Sequence, residues 1–207
     1  MSNHQQLELR TREVGPWPMN TYALICPQTG QSVLFDPGAD PASLQGMLAG
    51  STPIAILLTH THPDHVGALE EMRQRLAVPI FGHPNAVKNG FAVDRTLTTG
   101  AEVTVGAHRL QVYEAPGHID DQICFMLQED TRAIVGDTIF AGGPGHTRSA
   151  EAFRTTLQTL RTVVLTWPDE TICYPGHGPH FRLGDIRGQV EAFVQRDHGD
   201  FYGDAEW

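Results

Sequence analysis

The sequence predicts a mixed α/β fold in which two strand-rich halves are each closed by helices. Three observations carry this prediction. Short apolar runs rich in β-branched residues alternate with segments whose apolar residues recur at three- and four-residue spacing. Segments bearing histidine and aspartate each follow one of these strands, so strand ends could deliver them to a common edge. A chain of 207 residues with 40% hydrophobic content can bury one substantial core. Residues 1–207 therefore read as one domain, and no internal repeat of fixed short period is present.

Leu7, Leu9 and Val14 indicate a first edge strand, broken by Gly15-Pro16-Trp17-Pro18. Tyr22 to Cys26 and Ser32 to Phe35 form a β-hairpin across Pro27-Gln28-Thr29-Gly30, which delivers Asp36. Pro41 to Ala49 is helical (Leu44, Met47, Leu48), with Asp40 as N-cap and Gly50 as stop. Ile54 to Leu58 reads as a buried strand, Ala68 to Leu76 as a helix, Ile80 to His83 as a short strand and Ala86 to Asn89 as one turn of helix. Glu102 to Val105 and Arg109 to Glu114 alternate across Gly106-Ala107-His108, a hairpin with His108 solvated in its turn. Ile123 to Leu127 and Ala133 to Val135 pair around Gln128-Glu129-Asp130-Thr131. Ala150 to Thr166 is a core-facing helix with Ser149 as N-cap, Thr171 to Tyr174 the last strand, and Ile186 to Val194 the last helix.

The organising stretch lies between the buried strand and the helix that follows it. Thr59-His60-Thr61-His62-Pro63-Asp64-His65-Val66-Gly67 places four potential metal ligands within six residues. Residues two apart in an extended segment point the same way, so His60 and His62 can converge on one point while Asp64 and His65 turn toward a second. Pro63 disfavours the helical region for His62 and helps impose the change of direction.

This stretch resembles the signature of the metallo-β-lactamase superfamily. Ala115-Pro116-Gly117-His118, Gly136-Asp137-Thr138 and Pro175-Gly176-His177-Gly178 match the later family motifs in kind and order, so the resemblance runs from about Asp36 to Gly178. The glyoxalase II-like group is the branch it is most similar to. The resemblance implies a four-layer αββα sandwich, with two mixed sheets packed together and helices outside. It implies that His60, His62 and His118 hold one metal, that Asp64, His65 and His177 hold another, and that Asp137 bridges them. Asp64 and Asp137 are then the carboxylates expected to serve catalysis, and Asp36 is expected to orient a metal-bound histidine. Imidazole and carboxylate ligands alone suit Zn²⁺, Fe²⁺ or Mn²⁺, with zinc the first expectation for the two divalent transition metals.

The function implied is hydrolysis of a small acyl thioester or ester through a metal-bridging hydroxide. Two other readings come from the same family: an iron-dependent persulfide dioxygenase, and a lactone hydrolase. The chain also departs from the glyoxalase II pattern. Only 29 residues follow Gly178, too few for that enzyme's glutathione-binding helical domain. Gly143-Pro144-Gly145 is followed by His146 where the group has Lys or Arg, with Arg148 two residues on, so His146 and Arg148 are the candidate substrate contacts. Ile119-Asp120-Asp121 stands where Thr-Pro-Gly or Thr-x-Gly is usual; Asp120 and Asp121 read as surface turn residues or as groups repelling anions at the rim.

A formal charge of -10 argues against nucleic acid as a partner, because phosphate binding draws on Lys and Arg. Apolar runs stop far short of the roughly 20 residues a membrane span needs, and Met1 to Gln6 is polar. A small-molecule substrate and a cytoplasmic location are the expectations, and the absence of an export signal weighs against antibiotic hydrolysis. Cys26, Cys124 and Cys173 read as small buried hydrophobes without disulfides. His83 reads as structural, His180 as solvated, and His4 and His198 as without specific role. Tyr202 and Trp207 could pack back onto the domain or form a homo-oligomer contact.

Overall fold

The computed structural model describes residues 6–128 and 130–207. The expectations for His4 and for Glu129 in its turn lie outside these residues. In chain order the strands are β1 (Glu8–Val14), β2 (Met19–Ile25), β3 (Gln31–Phe35), β4 (Thr52–Leu57), β5 (Ile80–Gly82), β6 (Arg95–Thr96), β7 (Glu102–Val105), β8 (His108–Glu114), β9 (Ile123–Leu127), β10 (Arg132–Gly136), β11 (Ile172–Pro175) and β12 (Phe181–Arg182). The helices are α1 (Pro41–Met47), α2 (Pro63–Val66), α3 (Leu69–Leu76), α4 (Pro84–Lys88), α5 (Ala150–Thr162) and α6 (Leu183–Gln195), with a 3₁₀ turn at Val164–Thr166.

The strands form two six-stranded sheets, ordered β1-β2-β3-β4-β5-β6 and β12-β11-β10-β9-β8-β7. Both are mixed: β3, β4, β5 and β6 run parallel in the first, and β10 and β11 run parallel in the second. Residues of both sheets, including Leu24, Phe35, Leu57, Val112, Phe125 and Ile134, share one core between them, where Phe35 meets Phe125 edge-on at 5.2 Å. The outer face of the first sheet buries Leu34, Ile56 and Leu58 against Leu44, Val66, Leu69 and Met72 of the first three helices. The outer face of the second buries Ala133 and Val135 against α5 and α6. The expected αββα sandwich is therefore formed. The alternation explains the near-continuous apolar runs: Ala55 and Leu57 face the central core while Ile56 and Leu58 face the helices, so a strand buried on both sides has no polar face to show.

Several local expectations need correction. The run predicted as one helix over 68–76 is preceded by a separate turn, α2, because the Ala68 amide donates to the Pro37 carbonyl (2.9 Å) rather than within the helix. The helix predicted to run to Thr166 ends at Thr162; Val163 and Val164 are β-branched, and Trp167 is extended ahead of Pro168. Asp40 precedes α1, but its backbone is left-handed (φ 52°) and its carboxylate caps nothing; its carbonyl accepts from Ser43 and Leu44 instead. His108 is the first residue of β8, paired with Val105, rather than a solvated turn residue. Cys26, Cys124 and Cys173 are buried free thiols, as expected.

Candidate metal centre

Strand ends deliver the histidine and aspartate motifs to one edge of the sandwich. β3 leads to Asp36, β4 to the stretch Thr59 to His65, β8 to His118, β10 to Asp137 and β11 to His177. The last segment is stitched across the sheets: the Asn20 amide donates to the Gly176 carbonyl (2.7 Å), its side chain to Pro175 and Gly178, and the Tyr22 hydroxyl to Pro175 (2.6 Å).

Three overlapping groups of facing ligand atoms result, one of them Asp36, His60 and His65, where Asp36 meets the Nδ1 side of His65; the other two are turned to the open edge. His60, His62 and His118 form one, and Asp64, His65 and His177 the other. The Asp137 carboxylate lies between them, Oδ1 at 3.4 Å from His65 Nε2 and Oδ2 at 3.5 and 3.6 Å from the Nε2 atoms of His118 and His177. Such closeness needs a bare backbone behind it. A Cβ at Gly176 would overlap Asp137 Oδ1 and His65 Cε1. Gly136, just before Asp137, turns the strand at φ 50° against Thr59 and Gln122.

Hydrogen bonds set the ring orientations. His118 Nδ1 donates to the His146 carbonyl (2.7 Å), His177 Nδ1 to the Pro18 carbonyl (2.8 Å), and His65 Nδ1 to Asp36 Oδ2 (3.0 Å). Thr59 donates its hydroxyl hydrogen to Asp36 (2.6 Å), so toward His60 Nδ1 at 3.1 Å that oxygen can only accept. In all four rings Nδ1 thus carries a hydrogen and Nε2 turns inward. Three of those inward atoms, on His60, His65 and His118, are buried without a hydrogen-bond partner, as is Asp137 Oδ1. Buried polar atoms left unpaired cost free energy, and so many aimed at one space fit a group that accepts lone pairs, such as a divalent cation. The donor set fits as well, since neutral imidazoles and ionised carboxylates are the forms that bind metal.

The electrostatics favour the neutral form at His60, His62 and His118 and the ionised form at Asp64 and Asp137, and draw His65 and His177 toward the protonated form. Burial holds His60 well below the usual imidazole range, helped by its histidine neighbours. Burial and His118 lower His62 to about 4, and burial lowers His118. The hydrogen bond from His177 lowers Asp64 to about 2 and raises His177 in turn. Asp137 also stays on the acid side, since His65 outweighs its burial. Burial works against a charge on His65, but Asp137 and Asp36 overcome it and push that ring up to about 10. A proton on its Nε2 stands where a cation would otherwise bring the two carboxylates together.

Beside the first histidine group lies a recess of about 370 Å³, lined by His62, His118, Asp120, Arg148, Ser149 and Glu151 among others. Arg148 has no acidic partner among the described residues. His146 takes a different course: its ring pairs with Asp204 (3.0 Å), away from the recess, and only its carbonyl serves the site. Asp120 is exposed at the recess, whereas Asp121 is 1% exposed and bonded to Thr61, a role missed because its partner lies 60 residues away. His83 is structural as expected, capping α4 and meeting Glu114 at 2.9 Å. His198 corrects the expectation of no role: it donates to the Phe193 carbonyl (2.8 Å) between aromatic rings. His180 is exposed and stacks on Tyr174. Trp207 packs back, its indole N–H on the Ala141 carbonyl (2.8 Å) and its ring on Phe193.

A model of the metallo-beta-lactamase superfamily matches residues 14–177. The chain is 32% identical over 194 residues to a "Probable metallo-hydrolase YqgX" of Bacillus subtilis strain 168, covering 84% of this chain and 91% of that protein. It is 34% identical over 122 residues to a hydroxyacylglutathione hydrolase of Rhizobium meliloti strain 1021, covering 59% of this chain and 47% of that protein. The chain thus spans about half the length of that enzyme. Among solved structures it is similar to ETHE1 from Myxococcus xanthus (TM-score 0.80, 27% identity, 92% of this chain and 86% of that one). It is also similar to TTHA1623 in a di-iron-bound form (TM-score 0.72, 30% identity, 86% and 96%). Among the described residues no helix is long and apolar enough to cross a membrane. With a model match over most of its length and relatives of this similarity, the chain belongs to the metallo-beta-lactamase superfamily.

Proposed function

We propose that the protein is a metal-dependent hydrolase of small acyl thioesters or esters, working at a two-metal centre. The observation that carries this is that Asp137 lies between two ligand groups, with the inward nitrogens of His60, His65 and His118 buried and unpaired. His60, His62 and His118 would hold one divalent ion, Asp64, His65 and His177 the other, and Asp137 both. Zinc is the first candidate; similarity to the di-iron protein keeps iron open, and the ligand set also admits manganese. Such ions supply carbonyl polarisation and a water ionised near neutral pH. The chain's own residues do the rest: Asp36 and the carbonyls of Pro18 and His146 fix the ring angles, and Asp64 and Asp137 balance charge. Arg148, which lines the recess, would receive an anionic group of the substrate. The departing thiolate of a thioester leaves with little help from a general acid, and none is called for here.

Similarity to hydroxyacylglutathione hydrolases supports the thioester, although the acyl group and thiol are set by the recess of this chain. Similarity to ETHE1 favours a second reading, persulfide oxidation with iron, and lactone hydrolysis is a third use of the same centre. Metal analysis with parallel assays decides among them. The parent should hold close to two transition-metal ions and hydrolyse acyl thioesters, S-lactoylglutathione slowly, while Asp137→Ala should lose both properties. Rapid O₂ uptake with glutathione persulfide by iron-loaded protein, with no hydrolysis under either metal, would reassign it.

A further inference from the structure

The stretch that carries His60 and His62 is held by two carboxylates through its two threonines, Thr59 and Thr61. Asp36 receives the Thr59 amide (2.7 Å) and hydroxyl (2.6 Å). Asp121 repeats the pattern one step on, receiving the Thr61 hydroxyl (2.5 Å) and facing its amide at 3.4 Å. Asn89, next to α4, donates to Asp121 at 3.1 Å. Only 1% of Asp121 is exposed, and no Lys or Arg pairs with it among the described residues. A carboxylate buried among neutral donors is costly to keep unless those bonds serve a purpose.

The position of Asp121 in the chain gives the purpose. It lies three residues after His118, and the residues that follow continue the junction, with the Ile123 amide on the Thr59 carbonyl at 2.8 Å. Residues 121–123 thereby fasten the loop that carries His118 to the stretch that carries His60 and His62. The two segments come from different sheets, and Asp121 joins them through Thr61 while the Gln122 side chain reaches the Thr59 carbonyl at 3.5 Å. The rings these segments carry are close, His62 to His118 at 4.4 Å and His60 to His118 at 5.2 Å between centroids.

We propose that Asp121 is a positioning residue for the three-histidine group His60, His62 and His118, doing for Thr61 what Asp36 does for Thr59. It sets the affinity of that group for a divalent ion without touching the ion, and the proposal rests on the two-metal reading above.

Zinc titration of chelator-stripped protein against a chromophoric chelator tests it, with thermal melts of the same stripped samples. In Asp121→Asn one of the two zinc affinities should fall at least about tenfold, the usual effect of removing a group that orients a ligand, while the other stays at the parent value. Thr61→Val should reproduce this, Thr61→Ser should restore parent affinity, and Asp121→Asn with Thr61→Val should be no weaker than Asp121→Asn alone. The melting midpoint of stripped Asp121→Asn should stay near the parent's. Parent affinity at both sites in Asp121→Asn, an equal fall at both, or Thr61→Ser behaving as Thr61→Val would each overturn the proposal. Should Asp121→Asn not fold, the Thr61 pair decides. A parent that binds one zinc ion overturns the two-metal reading instead, and whether that ion weakens in Asp121→Asn still decides the role of Asp121.

Discussion

Five imidazoles and two carboxylates at one sheet edge oppose one another, and without a cation they settle the conflict with protons. This makes the stripped protein's stability depend on pH in two directions. His62 falls from an ordinary 6.5 to about 4 on folding, so between those values the unfolded chain binds more protons and stability rises with pH. His65 rises to about 10, so its contribution is complete below 6.5 and is lost as pH climbs from 6.5 to 10. Thermal melts of chelator-treated protein should show a midpoint that rises from pH 4 to 6.5 and declines above it. Metal takes the place of the proton on His65, so in loaded protein the alkaline decline should vanish. An unchanged alkaline limb with metal present would show that His65 is not a ligand.

At the scale of the elements, the site depends on two sheets meeting at a fixed distance. Phe35 of β3 and Phe125 of β9 are both fully buried and meet edge-on across the central core. Phe125→Ala should cost about 3–5 kcal/mol in denaturant unfolding, the range for emptying a large buried aromatic site. The motifs themselves sit on short loops, as catalytic residues do, while strands buried on both faces hold those loops still. Most elements were legible in the sequence because their periodicity is local. The helical turn at Pro63–Val66 and the stop at Thr162 were not, since the first lies in a stretch read as a loop and the second depends on crowding at Val163 and Val164 ahead of Pro168.

Across the whole molecule, the segment from His198 to Trp207 straps the loop that follows Asp137. Thr147 pairs with Gly203 through backbone and hydroxyl, the Trp207 amide and indole reach Gly142 and Ala141, and the His146 ring meets Asp204. That loop supplies the carbonyl that orients His118 and also presents Arg148. Trp207→Ala removes one exposed hydrogen bond and an aromatic contact, a loss of about 1 kcal/mol. Limited proteolysis between Phe140 and Arg148 should accelerate in that variant while the sheets stay protected. His146→Ala should change turnover little, because its ring meets only the exposed Asp204 and its carbonyl remains.

The sequence by itself determined the alternation of strands and helices and the strand-end positions of the motifs, and the resemblance those motifs carry implied the αββα class and the residues that meet at the centre. The elements are written locally, in a period of two or of three to four, and the motifs are each a few residues long. Tertiary structure decided that Asp121 is buried on Thr61 rather than exposed at the rim, that His146 faces Asp204 while Arg148 faces the recess, and that Trp207 closes onto Ala141. Those partners lie about 60 residues apart in the chain. No local pattern encodes such a pairing; it exists only once the packed sheets have brought the segments together, and the strength of each bond depends on the water that packing excludes.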